Sequence, residues 1–264
     1  DIAKGESKME KHIEKELKRI EIQERNLDRK TGFVEKKIDS LMNKVENKIP
    51  DDLKSKLEAA FYKAFGIVFE KGTGVIDKTY DRKTMNMDFR AYRSIIDKDS
   101  EALIHLRRKL DRSLKKDIAL TAAEGTGLGI LGIGLPDIPI FIGVILRSIY
   151  KIASTYGFDC SDENEKCYIL KLITGAMSRG EGRERTDRQI KRMEYLIDNN
   201  IFEGDLDREM KRTAGVLANE LLTYKFVQGL TFVGVIGGYT NVKVFRRIVT
   251  YAHLKYERRC LERL

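Results

Sequence analysis

The chain has no tryptophan, and only three prolines, three cysteines and three histidines. So few prolines remove the strongest helix breaker, and abundant Lys, Glu, Leu and Ile favour helix over strand. Cys160, Cys167 and Cys260 are sparse and odd in number. They make no paired disulfide framework and fit a reducing compartment. Cys160 and Cys167 have no second Cys or His pair nearby, and His12, His105 and His253 are isolated. The familiar zinc spacings are therefore missing, and no metal or other cofactor is expected. Neither GxSxG nor HExxH occurs, so the commonest hydrolase signatures are also missing. No segment alternates apolar and polar residues between hairpin turns, which argues against a sheet.

Charge is plentiful. Lys and Arg number 50 against 41 Asp and Glu, for a net charge of +9. The first fifty residues hold Lys and Glu in near balance, with no apolar core of a signal peptide. The expected setting is cytoplasmic, with peripheral attachment at the inner face of the cell membrane as one form of it. The positive excess sits in Arg107-Arg108-Lys109 with Arg112, Lys115 and Lys116, in 179–192 and in 243–263. Such patches suit an anionic lipid surface or an acidic protein. They lack interleaved aromatics and any known recognition motif, so no nucleic-acid partner is expected.

Ile13, Leu17, Ile20, Leu27, Val34, Ile38, Leu41 and Val45 follow a 4-3 spacing, with Glu24 and Thr31 on the same stripe. The pattern predicts one long amphipathic helix, or two broken near Gly32. Residues 1–48 read as an N-terminal helical extension. It either folds back on its own domain or serves as a coiled-coil arm for a homo-oligomer. Pro50 ends it, and Asp51-Asp52 open a helix over 51–70 that Gly72 and Gly74 close. A polar stretch over 78–88 and a short helix over 89–96 follow. Further helices are expected from Ser100 to Ala122, from a Ser161 cap to Gly180 and Gly182, and over 186–198, 206–226 and 241–263.

The exception to this charged background is 125–157, GTGLGILGIGLPDIPIFIGVILRSIYKIASTYG. From Leu128 to Leu146 its single charge is Asp137. Asp137 is placed to cap a helix, Pro139 to sit in its first turn, and Gly157 to stop it. A similar apolar, glycine-rich break recurs at 226–239. Gly125/Gly129 and Gly234/Gly238 have the GxxxG spacing that allows close helix approach. The match of 127–132 to GxGxxG lacks the βαβ context of a dinucleotide site. A simple membrane span is disfavoured, because Pro136, Asp137 and Pro139 divide the run and a central Asp costs about 2.5–3.5 kcal/mol. The fold class expected is all-α, a multi-helix bundle around this central Gly-rich apolar hairpin.

The order of these features resembles the EcsC family. Its pattern is a Gly-rich apolar ramp, a Pro-Asp step, an apolar helix and a closing Tyr-Gly-Phe-Asp, matched by Gly125, Gly129, Pro136, Asp137, Tyr156, Gly157 and Asp159. Gly234, Gly238 and Asn241, followed by a basic amphipathic helix, match its final segment. Thr231-Phe232 stands where the family often has a proline. The resemblance covers roughly 49–264, taken as the EcsC-like helical domain. It implies a bacterial, intracellular helical protein with no assigned catalytic residue and a link to an ABC transporter. The leading expectation is a non-enzymatic, membrane-surface accessory protein that binds lipid or a transporter component. A soluble helical adaptor, and a hydrolase using Asp137, stand as alternatives.

Overall fold

The computed structural model of the chain describes residues 9–27, 49–79, 101–128, 137–201, 203–227 and 237–264. Among these residues there are eight helices and no strand: α1 (9–27), α2 (Asp51–Thr79), α3 (Glu101–Leu128), α4 (Asp137–Thr155), α5 (Glu163–Met177), α6 (Gly180–Asp198), α7 (Leu206–Val227) and α8 (Gly237–Leu261). The all-α bundle is the expected fold. The expected helix over 89–96 and the later part of the N-terminal stripe lie outside the described residues.

The short α5 is the most enclosed helix, packed by α6, α7 and α8. Twelve of its residues are buried, from Glu165 and Cys167 to Met177, and a helix covered all round belongs in a core. α4 presents Ile142, Ile145, Leu146, Ile149 and Ile152, all buried, at the i, i+3, i+4 spacing of one face. α2 brings Leu57, Phe61, Phe65 and Phe69 against the same core. Each such side chain contributes roughly 1.5–3 kcal/mol when fully buried. α4 is also long and apolar enough to cross a membrane by length and composition, but 61% of that window is buried in the bundle.

α1 folds back onto α8. Its Ile20 forms a small buried cluster with Leu254 and Leu261, flanked by Ile13, Leu17 and Leu27. Glu24, which interrupts the apolar stripe, meets Lys255 Nζ at 3.1 Å and Arg258 Nη2 at 2.6 Å. The interruption is thus an electrostatic contact with α8 rather than a flaw in the seam.

α3 and α8 run antiparallel, with Arg107 beside Glu257 and Asp111 beside His253. α3 and α4 are also antiparallel neighbours, joined by Lys151 and Asp117 at 3.0 Å. The C-terminus of α3 and the N-termini of α4 and α8 therefore meet at one end of the bundle.

Several boundaries differ from expectation: α3 continues past Ala122 to Leu128, and α8 begins at Gly237 rather than Asn241. α2 runs through Gly72 and Gly74 to Thr79, because a helical glycine costs only about 1 kcal/mol and does not forbid continuation. The cap of α5 is Asp162, not Ser161: its backbone is extended and its carboxylate accepts from the Asn164 N–H at 3.1 Å. The Ser161 hydroxyl is already donated to Asp159 at 2.7 Å. Gly180 opens α6 rather than closing α5, with φ at +49° after the two-residue link Ser178-Arg179.

At Gly175, in the last turn of α5, an added Cβ would lie 2.7 Å from Tyr251 Oη and 3.1 Å from Ile190 Cδ1. Tyr251 is buried and bonded to Asp187, so it has little room to retreat. Gly175→Ala should destabilise the fold by about 1–3 kcal/mol in urea denaturation. An unchanged midpoint would show that α5 and α8 are less closely apposed.

Candidate functional site

Tyr156-Gly157-Phe158-Asp159 ends α4 and grips α8. Gly157 takes φ +81°. Phe158 N–H donates to Ala153 O at 2.9 Å, and Gly157 N–H to Ser154 O at 3.2 Å. This is a Schellman stop, which a residue with a Cβ fills poorly. Asp159 accepts from Ser161 N–H at 2.9 Å and so sets the turn into α5. Phe158 packs its ring 5.2 Å from Tyr256.

Tyr156 Oη lies 2.8 Å from His253 Nε2, and Asp111 Oδ1 lies 3.5 Å from Nδ1. Burial pushes the Tyr156 hydroxyl well above its ordinary value and lowers that of His253. Both are neutral near pH 7. The Asp111 carboxylate favours the ring proton on Nδ1, which leaves Nε2 to accept from Tyr156. A phenol so strongly held in its protonated form makes a poor nucleophile, and the arrangement works as a clasp between α3, α4 and α8.

Deeper in the bundle, Arg259 is 2% exposed. Its Nη1 donates to Glu165 Oε1 and Oε2 at 3.1 and 3.0 Å, and its Nη2 to Asp198 Oδ1 at 2.6 Å. Tyr256 also donates to Glu165, at 2.6 Å. The guanidinium sits between the rings of Phe158 and Tyr168, 4.4 and 4.7 Å from their centroids. Burial pushes the Glu165 carboxyl up, against the pull of Arg259. Burial likewise opposes the Arg259 charge, but Glu165 and Asp198 outweigh it and hold the guanidinium above its ordinary range. Arg263 also pairs with Asp198 and Arg258 with Glu24, so the arginines at this end are matched by carboxylates, with Arg259 buried and Arg263 exposed.

A cavity of ≈ 990 Å³ lies between α1, α3 and α8. Arg19, Arg107, His253 and Glu257 line its more buried part, Lys115 and Arg246 stand at its exposed side, and the half-exposed Asp111 lies one helical turn from Lys115. All three cysteines are free and buried. Burial pushes the Cys167 thiol up to about 12, so it is protonated and inert at neutral pH. Among the described residues, no cluster of His, Cys, Asp and Glu could hold a metal.

A profile of the EcsC protein family matches residues 14–261. The chain belongs to the EcsC family. It is also similar to Protein EcsC of Bacillus subtilis (strain 168), with 28% identity over 174 residues, 62% of this chain and 69% of that one. No solved structure matches it. The family match includes most of α1, the helix that folds back on α8.

The structure separates the family-pattern residues. Tyr156, Gly157 and Asp159 come together at the end of α4. Asp137 is the first residue of α4, Pro139 lies in its first turn, Gly125 is in α3, and Gly238 and Asn241 are in the first turns of α8. The side chains of Asp137 and Asn241 lie outside the described residues, as do Gly129, Pro136 and Gly234 altogether. Glu165, Asp198 and Arg259, which build the buried network, belonged to no sequence motif. Their signal was the mixture of aromatic and charged residues in YAHLKYERRC (251–260), too polar for an ordinary core face.

Two outcomes follow from the network. Arg259→Met strands Glu165 in the core and should cost about 3–5 kcal/mol in urea denaturation; adding Glu165→Leu should recover much of that loss. Glu194, which accepts from Tyr168, is pushed by burial from its ordinary 4.5 up to about 7. A carboxyl raised on folding contributes stability below its unfolded pKa and loses it as pH rises through the folded value. From pH 5 to 8 the wild-type melting temperature should therefore fall relative to Glu194→Gln. Parallel curves would exclude a raised Glu194.

Proposed function

We propose that this EcsC-family protein is a non-enzymatic accessory module that docks peripherally on the inner surface of the cell membrane. The end of the bundle where α3 stops and α4 and α8 begin would face the lipid. One observation carries the reading. By sequence, the apolar, glycine-rich stretches 129–136 and 228–236 follow the last residues of α3 and α7 and precede the first residues of α4 and α8. Ile140, one turn into α4 there, is 54% exposed. Farther along the flank, exposed Lys115, Lys116 and Arg246 offer positive charge. Apolar insertion combined with a basic flank is the usual recipe for reversible attachment to anionic bilayers.

The relative's name says nothing of a membrane or a transporter, and a transporter component as protein partner remains a proposal drawn from the family resemblance. A hydrolase using Asp137 has no geometric support, since that side chain lies outside the described residues.

Vesicle flotation tests the reading. The full chain should float with vesicles containing anionic lipid and float less with neutral ones. Ile140→Glu should weaken flotation without changing the melting temperature, because its side chain is largely in solvent. Absence of flotation with either vesicle would overturn the proposal.

A further inference from the structure

The cavity between α1, α3 and α8 has an uneven charge distribution. At its inner end the cations are matched. Arg19 pairs with Glu16 and Glu257, and Arg107 pairs with Glu16 and approaches Glu257 at 3.5 Å. Asp111 faces His253. Two arginines meet two glutamates there, and Glu257, 4% exposed, keeps one buried oxygen, Oε2, without a hydrogen-bond partner. This inner end repels a further anion.

The outer end is different. Lys115 and Arg246 are exposed, line the cavity and have no ion-pair partner among the described residues. Between the two ends the wall is apolar, made by Leu114 and Ile118 of α3 and by Val249 and Leu254 of α8. Leu27 of α1 closes it from the side. Arg246 and Glu257 are eleven residues apart on one helix, which sets the length at about 16 Å. The volume of ≈ 990 Å³ is at the upper end of ordinary small-ligand sites.

We infer that this cavity binds a single-chain anionic amphiphile. Its alkyl chain lies along Leu114, Ile118, Val249 and Leu254, and its anionic head rests on Lys115 and Arg246. Charge decides the orientation. The head takes the end with two unmatched cations and avoids the end that already holds the buried Glu257 with its orphaned oxygen. A cationic amphiphile would meet repulsion at the rim, and a small anion without a chain would leave the apolar wall unused. The site shares Lys115 and Arg246 with the surface docking proposed above, but it takes up one dissolved molecule and needs neither a bilayer nor Ile140.

Titration calorimetry of the full chain tests it, with dodecanoate and dodecyl phosphate below their micelle-forming concentrations and dodecyltrimethylammonium as the matched cation. At least one of the two anions should bind one per chain and raise the melting temperature, as a ligand specific for the folded state must. The cation should bind at least about tenfold more weakly, a difference of ~1.4 kcal/mol. The double variant K115E/R246E changes only exposed side chains, so it should melt as the wild type does while losing about tenfold in anion affinity. Binding of neither anion, equal binding of the cation, or full affinity in the double variant would each overturn the inference. Ile140→Glu should leave this binding intact, so failure of the cavity site and failure of membrane docking are separately visible.

Discussion

Arg259 is the residue on which the arrangement of α5, α6 and α8 depends. A guanidinium taken out of water costs several kcal/mol unless charge and hydrogen bonds compensate it. Glu165 from α5, Asp198 at the end of α6, and two aromatic faces supply that compensation. Because the pair is directional, it fixes not merely that three helices pack but how they are rotated about their axes. Phe158 lies against both Arg259 and Tyr256, so the turn after α4 is registered to the same point. The clasp of Tyr156 on His253 and the electrostatic contact of α1 with α8 extend the grip along one helix. α8 is thus the axis to which α1, α3, α4, α5 and α6 are keyed by polar contacts.

Much of this was legible in the chain. The all-α class followed from composition and periodicity, and the Gly157 stop and the seating of Pro139 followed from local backbone chemistry. What stayed hidden were contacts between residues far apart in sequence. Glu24 looked like a defect in an apolar stripe until its partners Lys255 and Arg258 appeared, more than two hundred residues away. The basic end of α8 looked like a surface feature because charge alone does not tell a solvated arginine from a buried, paired one. Helix ends at Gly72, Gly74 and Gly180 were misplaced for another reason: glycine lowers the cost of stopping a helix without requiring a stop. The ordering of Ser161 and Asp162 at the cap of α5 depended on Asp159, which takes the serine hydroxyl first.

The polar grip on α8 also gives the two ends of the molecule different chemistry. The end near Arg259, Asp198 and Arg263 is closed by matched charge and rigid aromatics, which suits a structural base. The opposite end carries the exposed Ile140 and the attachment points of both glycine-rich apolar segments. Between them, along the α3 face, unmatched cations at Lys115 and Arg246 border the cavity. A protein built this way holds its fold from one end, and the docking proposed above would use the other.

That polarity can be read directly with a fluorophore. The three native cysteines are buried, so a cysteine introduced at Ile140 or at Tyr195, an exposed residue near the other end of the bundle, can be labelled selectively with an environment-sensitive dye. On adding anionic vesicles, the label at position 140 should shift to the blue and resist aqueous quencher, while the label at position 195 should not change. Equal shifts at both positions, or a shift at 195 alone, would contradict the account.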